Sequence, residues 1–354
     1  MERPKIHIIA PAGSCRPFLE AIEVRCASDL IDTVQEAFGS TYVVTGNEAL
    51  IEAAEEEHRG GRQDDTLRAA DIQQALADNH VVAVVLIRGG AWFTRVLPII
   101  DFSVLSARSS RVAVFGFSEL TTLVNIVGSY DQGIGVYDMG PAFLTYGLKR
   151  HVRQRTAGGP GAGDADKNWA QARLLPELCT FLRDVAAMIE GRGTSRAVTA
   201  ELVAGSLGDQ CQITVVGGNL TVASTLIGSR YARWFGPEGR WLLIEDFNET
   251  PQRIDRLLAH LTVAGLWERC AGVLLGDFHK GYEDLTPAVI SMLDHHLPPR
   301  HALPILTTDC VGHVWPMSPL PLHLPLTLEH SGGNRYTITW PPSALKTVPL
   351  SVQT

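Results

Sequence analysis

The chain has no apolar run long enough to cross a membrane. Its longest uninterrupted aliphatic stretch, Val81 to Ile87, is far shorter than a bilayer requires, which excludes a spanning helix there. Positive charge is not in excess either. The 30 Lys and Arg stand against 38 Asp and Glu, a formal net charge of −8, so no basic footprint for nucleic acid or an anionic membrane surface exists. The six cysteines (Cys15, Cys26, Cys179, Cys211, Cys270 and Cys310) show no Cys-x-x-Cys spacing, and reduced thiols in a cytoplasmic protein are expected. Met1 to Lys5 runs at once into the strand-like Ile6–Ala10, without the apolar region of a signal peptide, which again predicts a cytoplasmic location. What is present is a 45% hydrophobic content over 354 residues, enough for sizeable cores in two domains.

The amino-terminal part alternates strand and helix signals. Ile6–Ala10, Tyr42-Val43-Val44, Val81–Ile87 and Arg111–Phe115 read as strands, and Thr66 to Ala77 as a helix with Asp64 and Asp65 favouring its start. Near-continuous apolar strands separated by helices predict a parallel sheet covered on both faces. Function in such sheets gathers at the carboxyl ends of the strands, where the loops Ala10 to Ser14, Arg88 to Gly90 and Gly116 to Glu119 stand. Residues 1–148 are expected to form this α/β domain. Residues 149–200 follow as a linker with a Gly-rich loop at 157–163 and a helix from about Trp169 to Glu190. Residues 201–354 form a second domain, with strands at Gln212–Val216, Trp241–Ile244 and Gly272–Leu275, a helix from Gln252 to Ala264 and a proline-rich, strand-like tail. No internal repeat is present.

The sharpest chemical signal is Gly116-Phe117-Ser118-Glu119-Leu120, directly after the apolar run Val112–Phe115 and before a helix-like segment. A serine on a tight strand-to-helix turn exposes its hydroxyl and leaves the next backbone N–H available, as a nucleophile and half of an oxyanion hole require. Other candidates are weaker. His295, His296 and His301 are broken up by Leu297-Pro298-Pro299 and have no matched acidic partner, so a surface loop and no metal site are expected. Cys310 reads as an inert thiol. Gly133-Ile134-Gly135 lacks the rest of a dinucleotide fingerprint, so it is read as a turn and no cofactor is expected. Arg256 beside Asp255 reads as an ion pair. Asn219, after two glycines, either touches substrate or caps a helix.

Taken in order, these segments resemble the LD-carboxypeptidase family of serine peptidases, which includes murein tetrapeptide carboxypeptidases and the peptidases that confer immunity to microcin C. The matching segments are Ala10-Pro11-Ala12-Gly13-Ser14, Arg68-Ala69-Ala70-Asp71, Arg88-Gly89-Gly90, Leu97 to Asp101, Gly116 to Glu119 and Gly140-Pro141. They continue with Gly217-Gly218-Asn219-Leu220, Glu245-Asp246, Ile254-Asp255-Arg256 and Gly312-His313. The resemblance implies a Rossmann-like amino-terminal domain and a β-rich α/β carboxyl-terminal domain, with the active site at their interface. It implies a Ser-Glu-His triad: Ser118 as nucleophile, His313 as general base, and Glu245, rather than Asp246 or Glu249, orienting the imidazole. The oxyanion hole would be the backbone N–H groups of Gly90 and Glu119, with Gly89, Trp92 and Asn219 at the substrate. A small peptide or peptide-like substrate and a homodimer are implied as well.

Three positions depart from the family pattern. Glu119 replaces an aspartate, Ala91-Trp92 replaces Tyr-Gly after Arg88-Gly89-Gly90, and His323 replaces a glycine after Leu320-Pro321-Leu322. Each bears on substrate choice, because pocket shape sets specificity. The long interval between Ser118 and Glu245 is closer to the microcin-immunity type. Trp169 is there either a counterpart of the aromatic residues that hold a nucleotide-like group or a residue packed under its helix. The expected activity is cleavage of an amide bond near a free carboxyl terminus through an acyl-enzyme. The alternatives are hydrolysis of aminoacyl-nucleotide or peptidyl antibiotics, acyl transfer to an amine in a biosynthetic pathway, and an inactive binding homologue.

Overall fold

A computed structural model describes residues 2–53, 62–155, 164–192, 197–297 and 303–348. The Gly-rich stretch 157–163 and His301 lie outside them. Five parallel strands build the amino-terminal sheet: β1 (Lys5–Ile9), β2 (Val43–Gly46), β3 (Val81–Leu86), β4 (Val112–Gly116) and β5 (Gly133–Tyr137). β3, β4 and β5 are buried along their whole length, as a sheet covered on both faces requires. Gly133-Ile134-Gly135 is therefore strand and not the turn expected from the glycine pair. The reason is close packing. A Cβ on Gly133 or Gly135 would lie 2.0 Å from the carbonyl oxygen of Val127 or Val124, so only glycine lets the helix Thr121–Gly128 sit this near the strand.

The carboxyl-terminal strands are β6 (Val198–Ala204), β7 (Gln210–Asn219), β8 (Trp241–Phe247), β9 (Gly272–Lys280), β10 (Glu283–Asp284) and β11 (Ile305–Thr307). They are followed by β12 (Leu320–Leu322), β13 (Pro325–Gly332) and β14 (Arg335–Thr339). In the second sheet, β9, β11, β6, β14, β13, β7 and β8 follow one another, and β8 pairs back onto β9. The sheet thus closes on itself and protects its strand edges. β7, β8, β9 and β11 run parallel at their shared ladders, which gathers their carboxyl ends on one side.

Two expectations change. β12 does not join the second sheet. It crosses back and pairs antiparallel with β5, so the amino-terminal sheet has the order β12-β5-β4-β3-β1-β2. The segment expected to open a linker at Lys149 instead continues a helix, Leu144–Arg155, and a second helix, Asp164–Ile189, starts before Trp169. The two halves meet where the helix Thr121–Gly128 abuts the end of β7. The Asn125 side chain accepts from Gly217 N–H at 3.0 Å and donates to Gly217 C=O at 2.8 Å, while Asn219 N–H donates to Thr121 Oγ1 at 2.9 Å.

Just after β12, His323 holds a left-handed backbone (φ 61°), and its half-buried side chain, with Nε2 shut off from solvent, sits beside Gly128. Burial, with some help from the charge of Arg240, pushes its imidazole down from 6.5 to about 3. A depressed histidine contributes stability that is complete above pH 6.5 and is lost as acid drives the proton on. Asn tolerates the same backbone and carries no titration. Relative to His323→Asn, the protein should lose about 3 kcal/mol of stability between pH 7 and pH 4, read from urea unfolding at each pH. A pH-independent difference would refute the assignment.

Candidate active site

β4 ends at Gly116, and one short 3-10 turn, Ser118–Leu120, leads into the helix Thr121–Gly128. On that turn Ser118 adopts φ 55°, a region that costs a non-glycine residue about 1–2 kcal/mol. The sharp turn holds the hydroxyl above the sheet. Glu245, fully buried, comes from β8, and His313 from the loop between β11 and β12. His313 Nε2 lies 3.2 Å from Ser118 Oγ, and His313 Nδ1 lies 2.7 Å from Glu245 Oε2. The three residues singled out in the sequence meet across the two halves. In this arrangement an imidazole can take a hydroxyl proton while a carboxylate fixes its tautomer.

A further set of groups holds these three. Tyr137, the last residue of β5, donates its hydroxyl to Glu245 Oε1 at 2.7 Å and accepts from Ser118 N–H at 3.3 Å. Burial, and then the charge of Glu245, pushes its ionisation well above 10, so the hydroxyl keeps its proton. Asn219 is buried. Its amide donates to Glu245 Oε1 at 3.3 Å and Asp246 Oδ1 at 3.1 Å, and its carbonyl caps the helix Leu220–Ser224 at Val222 N–H. Of its two expected roles, the structure has the cap. Asp246 accepts from Thr221 and Phe247; burial and the neighbouring Glu245 raise it to about 6. Glu249 pairs with Arg253 at 2.9 Å. Among the three competing carboxylates, Glu245 is the one in contact with His313.

His313 is also held from behind. Arg150, on the helix Leu144–Arg155, donates to the His313 carbonyl at 2.8 Å and grips Asp277 with both terminal nitrogens at 2.8 and 3.1 Å. Asp277 also bonds His279, whose Nε2 lies 3.5 Å from the Tyr146 hydroxyl. Burial alone would raise Asp277, but the bonds from His279 and Arg150 hold it below 3.8. The His313 ring is stacked on Phe247 (4.8 Å, 11°) and flanked by Phe117 (4.9 Å) and Phe143 (5.4 Å).

A cavity of about 390 Å³ opens at Ser118 and His313, bordered by Arg88, Gly89, Gly90 and Phe143 among others. Gly89 faces the serine: a Cβ there would lie 3.7 Å from Ser118 Cβ and 4.0 Å from Glu119 N. Gly90 packs on Gly13, whose N–H bonds Gly89 C=O at 3.0 Å. Trp92 and Asn219 are not among the described residues lining this cavity. Trp92 instead opens the helix Phe93–Val96 at φ 73°, and the Glu119 carboxylate accepts from Phe93 N–H at 2.8 Å. Trp169 lies on the helix Asp164–Ile189, stacked with His151 and under the Arg173 guanidinium. Cys310 contacts Thr308, and His296, rather than Arg256, pairs with Asp255 at 2.8 Å. Among the described residues no three His, Cys, Asp or Glu side chains form a group able to hold a metal.

The sequence matches the LD-carboxypeptidase N-terminal domain over residues 6–136 and the C-terminal domain over residues 213–328. A putative carboxypeptidase of Streptomyces coelicolor is 30% identical over 273 residues, covering 76% of each chain. The chain belongs to the LD-carboxypeptidase family. By that membership it is a serine peptidase. The murein tetrapeptide carboxypeptidase of Pseudomonas aeruginosa is 25% identical over 255 residues, 66% of this chain and 74% of that one. In fold, this LD-carboxypeptidase is similar to MccF solved in complex with glutamyl sulfamoyl guanosine (16% identity, TM-score 0.64, covering 95% of this chain and 96% of that one).

Within this family member, Tyr137, Arg150 and Asp277 were missed by reading the sequence. Tyr137 sits two residues past a glycine pair read as a turn, and Arg150 falls in the stretch read as a linker. A correct strand over residues 133–137 would have put Tyr137 at a strand's carboxyl end, where function gathers.

The Ser118 backbone yields a stability test that is separate from chemistry. Glycine accepts φ 55° without strain and alanine does not. Ser118→Gly is expected to be more stable than Ser118→Ala by about 1 kcal/mol in chemical denaturation, and the reverse order would argue against a strained turn.

Proposed function

We propose that this enzyme hydrolyses an amide bond near a free carboxyl terminus through an acyl-enzyme formed on Ser118. The observation that carries the proposal is the continuous chain of contacts from Ser118 Oγ to His313 Nε2 at 3.2 Å and from His313 Nδ1 to Glu245 Oε2 at 2.7 Å. Ser118 Oγ attacks the substrate carbonyl while His313 Nε2 takes its proton. The same proton passes to the leaving amine as the C–N bond breaks. Water, deprotonated by His313, then releases the acyl group and restores Ser118. Glu245 carries no proton in this cycle; it holds the Nδ1–H and stabilises the imidazolium. Ser118 N–H is directed to Tyr137, so the N–H groups of Glu119 and Gly90 are assigned to the oxyanion. An amine in place of water would give amide formation, as a biosynthetic enzyme requires.

A peptide substrate like murein tetrapeptide is the first reading, in keeping with the name of the Pseudomonas aeruginosa relative. Peptidoglycan recycling in the cytoplasm, by a homodimer, belongs to it. A second reading is hydrolysis of an aminoacyl-nucleotide or peptidyl antibiotic. It is favoured by the exposed Trp169, stacked on His151, which in turn meets Trp315 two residues beyond His313 at 4.9 Å. Such rings are suited to a flat base.

Turnover of murein tetrapeptide and of an aminoacyl sulfamoyl-adenosine, followed by mass spectrometry, separates the two readings. Ser118→Ala should lower kcat/KM on the true substrate by about four orders of magnitude or more and abolish fluorophosphonate labelling. A folded wild-type protein that neither turns over nor labels would instead be a binding homologue. Tyr137→Phe should lower kcat by about ten- to a hundredfold with little change in KM, because its hydroxyl touches Glu245 and Ser118 rather than substrate. An unchanged kcat would remove Tyr137 from the machinery.

A further inference from the structure

The side of the cavity next to His313 is made of rings. Phe143 and Tyr146 meet at 5.7 Å, Tyr146 and Phe247 at 5.0 Å, and Phe247 is stacked on the His313 imidazole at 4.8 Å. All three of these side chains are only half-buried and line the cavity, so they present surface to whatever enters it. Phe18, 2% exposed, lines the same space. No carboxylate side chain is found among the described lining residues, and the full charge they include is the Arg88 guanidinium. Glu245, the nearest acid to His313, is fully buried behind the imidazole.

An ammonium brought into this cavity would lose water without gaining a counter-ion, and it would meet Arg88 as a like charge. A ring or branched aliphatic group would bury its surface against the wall at no such cost. We infer that one of the two residues flanking the scissile amide carries an aromatic or large aliphatic side chain, packed against Phe143, Tyr146 and Phe247, and that a cationic side chain is rejected there. The inference rests on the serine-hydrolase reading of the same site and narrows its substrate class.

The test is a panel of N-acyl dipeptides, L-Xaa-D-Ala and L-Ala-D-Xaa, with Phe, Leu, Ser or Lys as the varied residue. Hydrolysis is measured with the wild-type enzyme, and binding to Ser118→Ala by calorimetry. At one of the two positions Phe or Leu should exceed Lys and Ser by about tenfold or more in kcat/KM, with the same order in binding. Phe143→Ala should reduce that preference by about tenfold. A loss equal for all four substrates would mean that Phe143 only supports His313. Preference in binding to Ser118→Ala without wild-type turnover would sink the hydrolase reading and leave the apolar wall standing. Turnover without preference, or with Lys or Ser preferred, would overturn the inference and leave the hydrolase reading intact. Neither binding nor turnover of any member would overturn it as well.

Discussion

The geometry of this site depends on one buried amide. Asn125 satisfies both its donor and its acceptor on the backbone of Gly217, a reciprocal pair across the boundary between the two halves of the chain. The helix that carries Asn125 begins three residues after Ser118, and the strand that carries Gly217 runs beside the strand that carries Glu245. The pair therefore ties the serine's support to the carboxylate's support. A buried amide left without partners is costly, so sliding one half over the other by a single residue would strand four polar groups at once. Close approach is what makes the contact possible. A Cβ on Gly218 would come within 2.6 Å of the Tyr137 ring and 2.8 Å of Thr121 Oγ1, at a backbone φ of 141° that only glycine adopts freely. The same packing puts Tyr137 where its hydroxyl reaches both Ser118 and Glu245.

Buried charge is managed by distributing donors. Glu245 and Asp246 are neighbours with almost no exposure, an arrangement that like-charge repulsion opposes. Glu245 receives Tyr137, Asn219 and His313, while Asp246 receives Thr221, Asn219 and its own strand's Phe247 N–H. Asn219 bridges the two carboxylates with a single amide group, which is why a residue placed as a helix cap also bears on the site. On the far side of His313, Asp277 is matched by Arg150 and His279. Arg150 spends a further bond on the His313 carbonyl, so the loop is held by its main chain while the imidazole is held by Glu245. Removing one partner of such a buried pair leaves an uncompensated charge and costs far more than the pair itself contributes.

What could be read from the sequence followed from strong local signals. Continuous β-branched runs marked β3 and β4, and the Gly-x-Ser exit marked the serine. The resemblance supplied Glu245 and His313, since no local pattern distinguishes one carboxylate at a strand end or one of twelve histidines. The failures were tertiary. Gly133 and Gly135 read as a turn because glycine's usual message is conformational, whereas here it is steric clearance beneath a helix. β12 reads as part of the tail with its sequence neighbours, but three residues with a central proline carry no information about which sheet they will join. Arg150 was hidden because a run rich in basic residues looks solvent-exposed, and nothing local reveals that Asp277 and the His313 carbonyl wait for it. Trp92, which the resemblance puts at the substrate, holds a left-handed backbone and opens the helix Phe93–Val96, a local geometry that no pattern in the sequence announces.

The ring wall beside His313 joins specificity to chemistry. Phe247 lies nearly parallel to the imidazole, and Phe117 and Phe143 approach it from other sides, all with centroids within 5.4 Å. A ring face this close attracts a cation, so under the proposed mechanism these phenylalanines would favour an imidazolium at His313. The same rings lower the local dielectric, which strengthens the contact between His313 and Glu245. Phe143 and Phe247 also face the cavity. A change that reshapes the wall for another substrate thus alters the charge stabilisation of the base as well. Selection for a new side chain at this position has to act on residues such as Phe18 and Thr145, which line the cavity without ring contact to His313, if catalysis is to be kept. Under the proposed mechanism the wall's composition is therefore constrained from both faces, one by the substrate's apolar surface and the other by the proton taken up at His313.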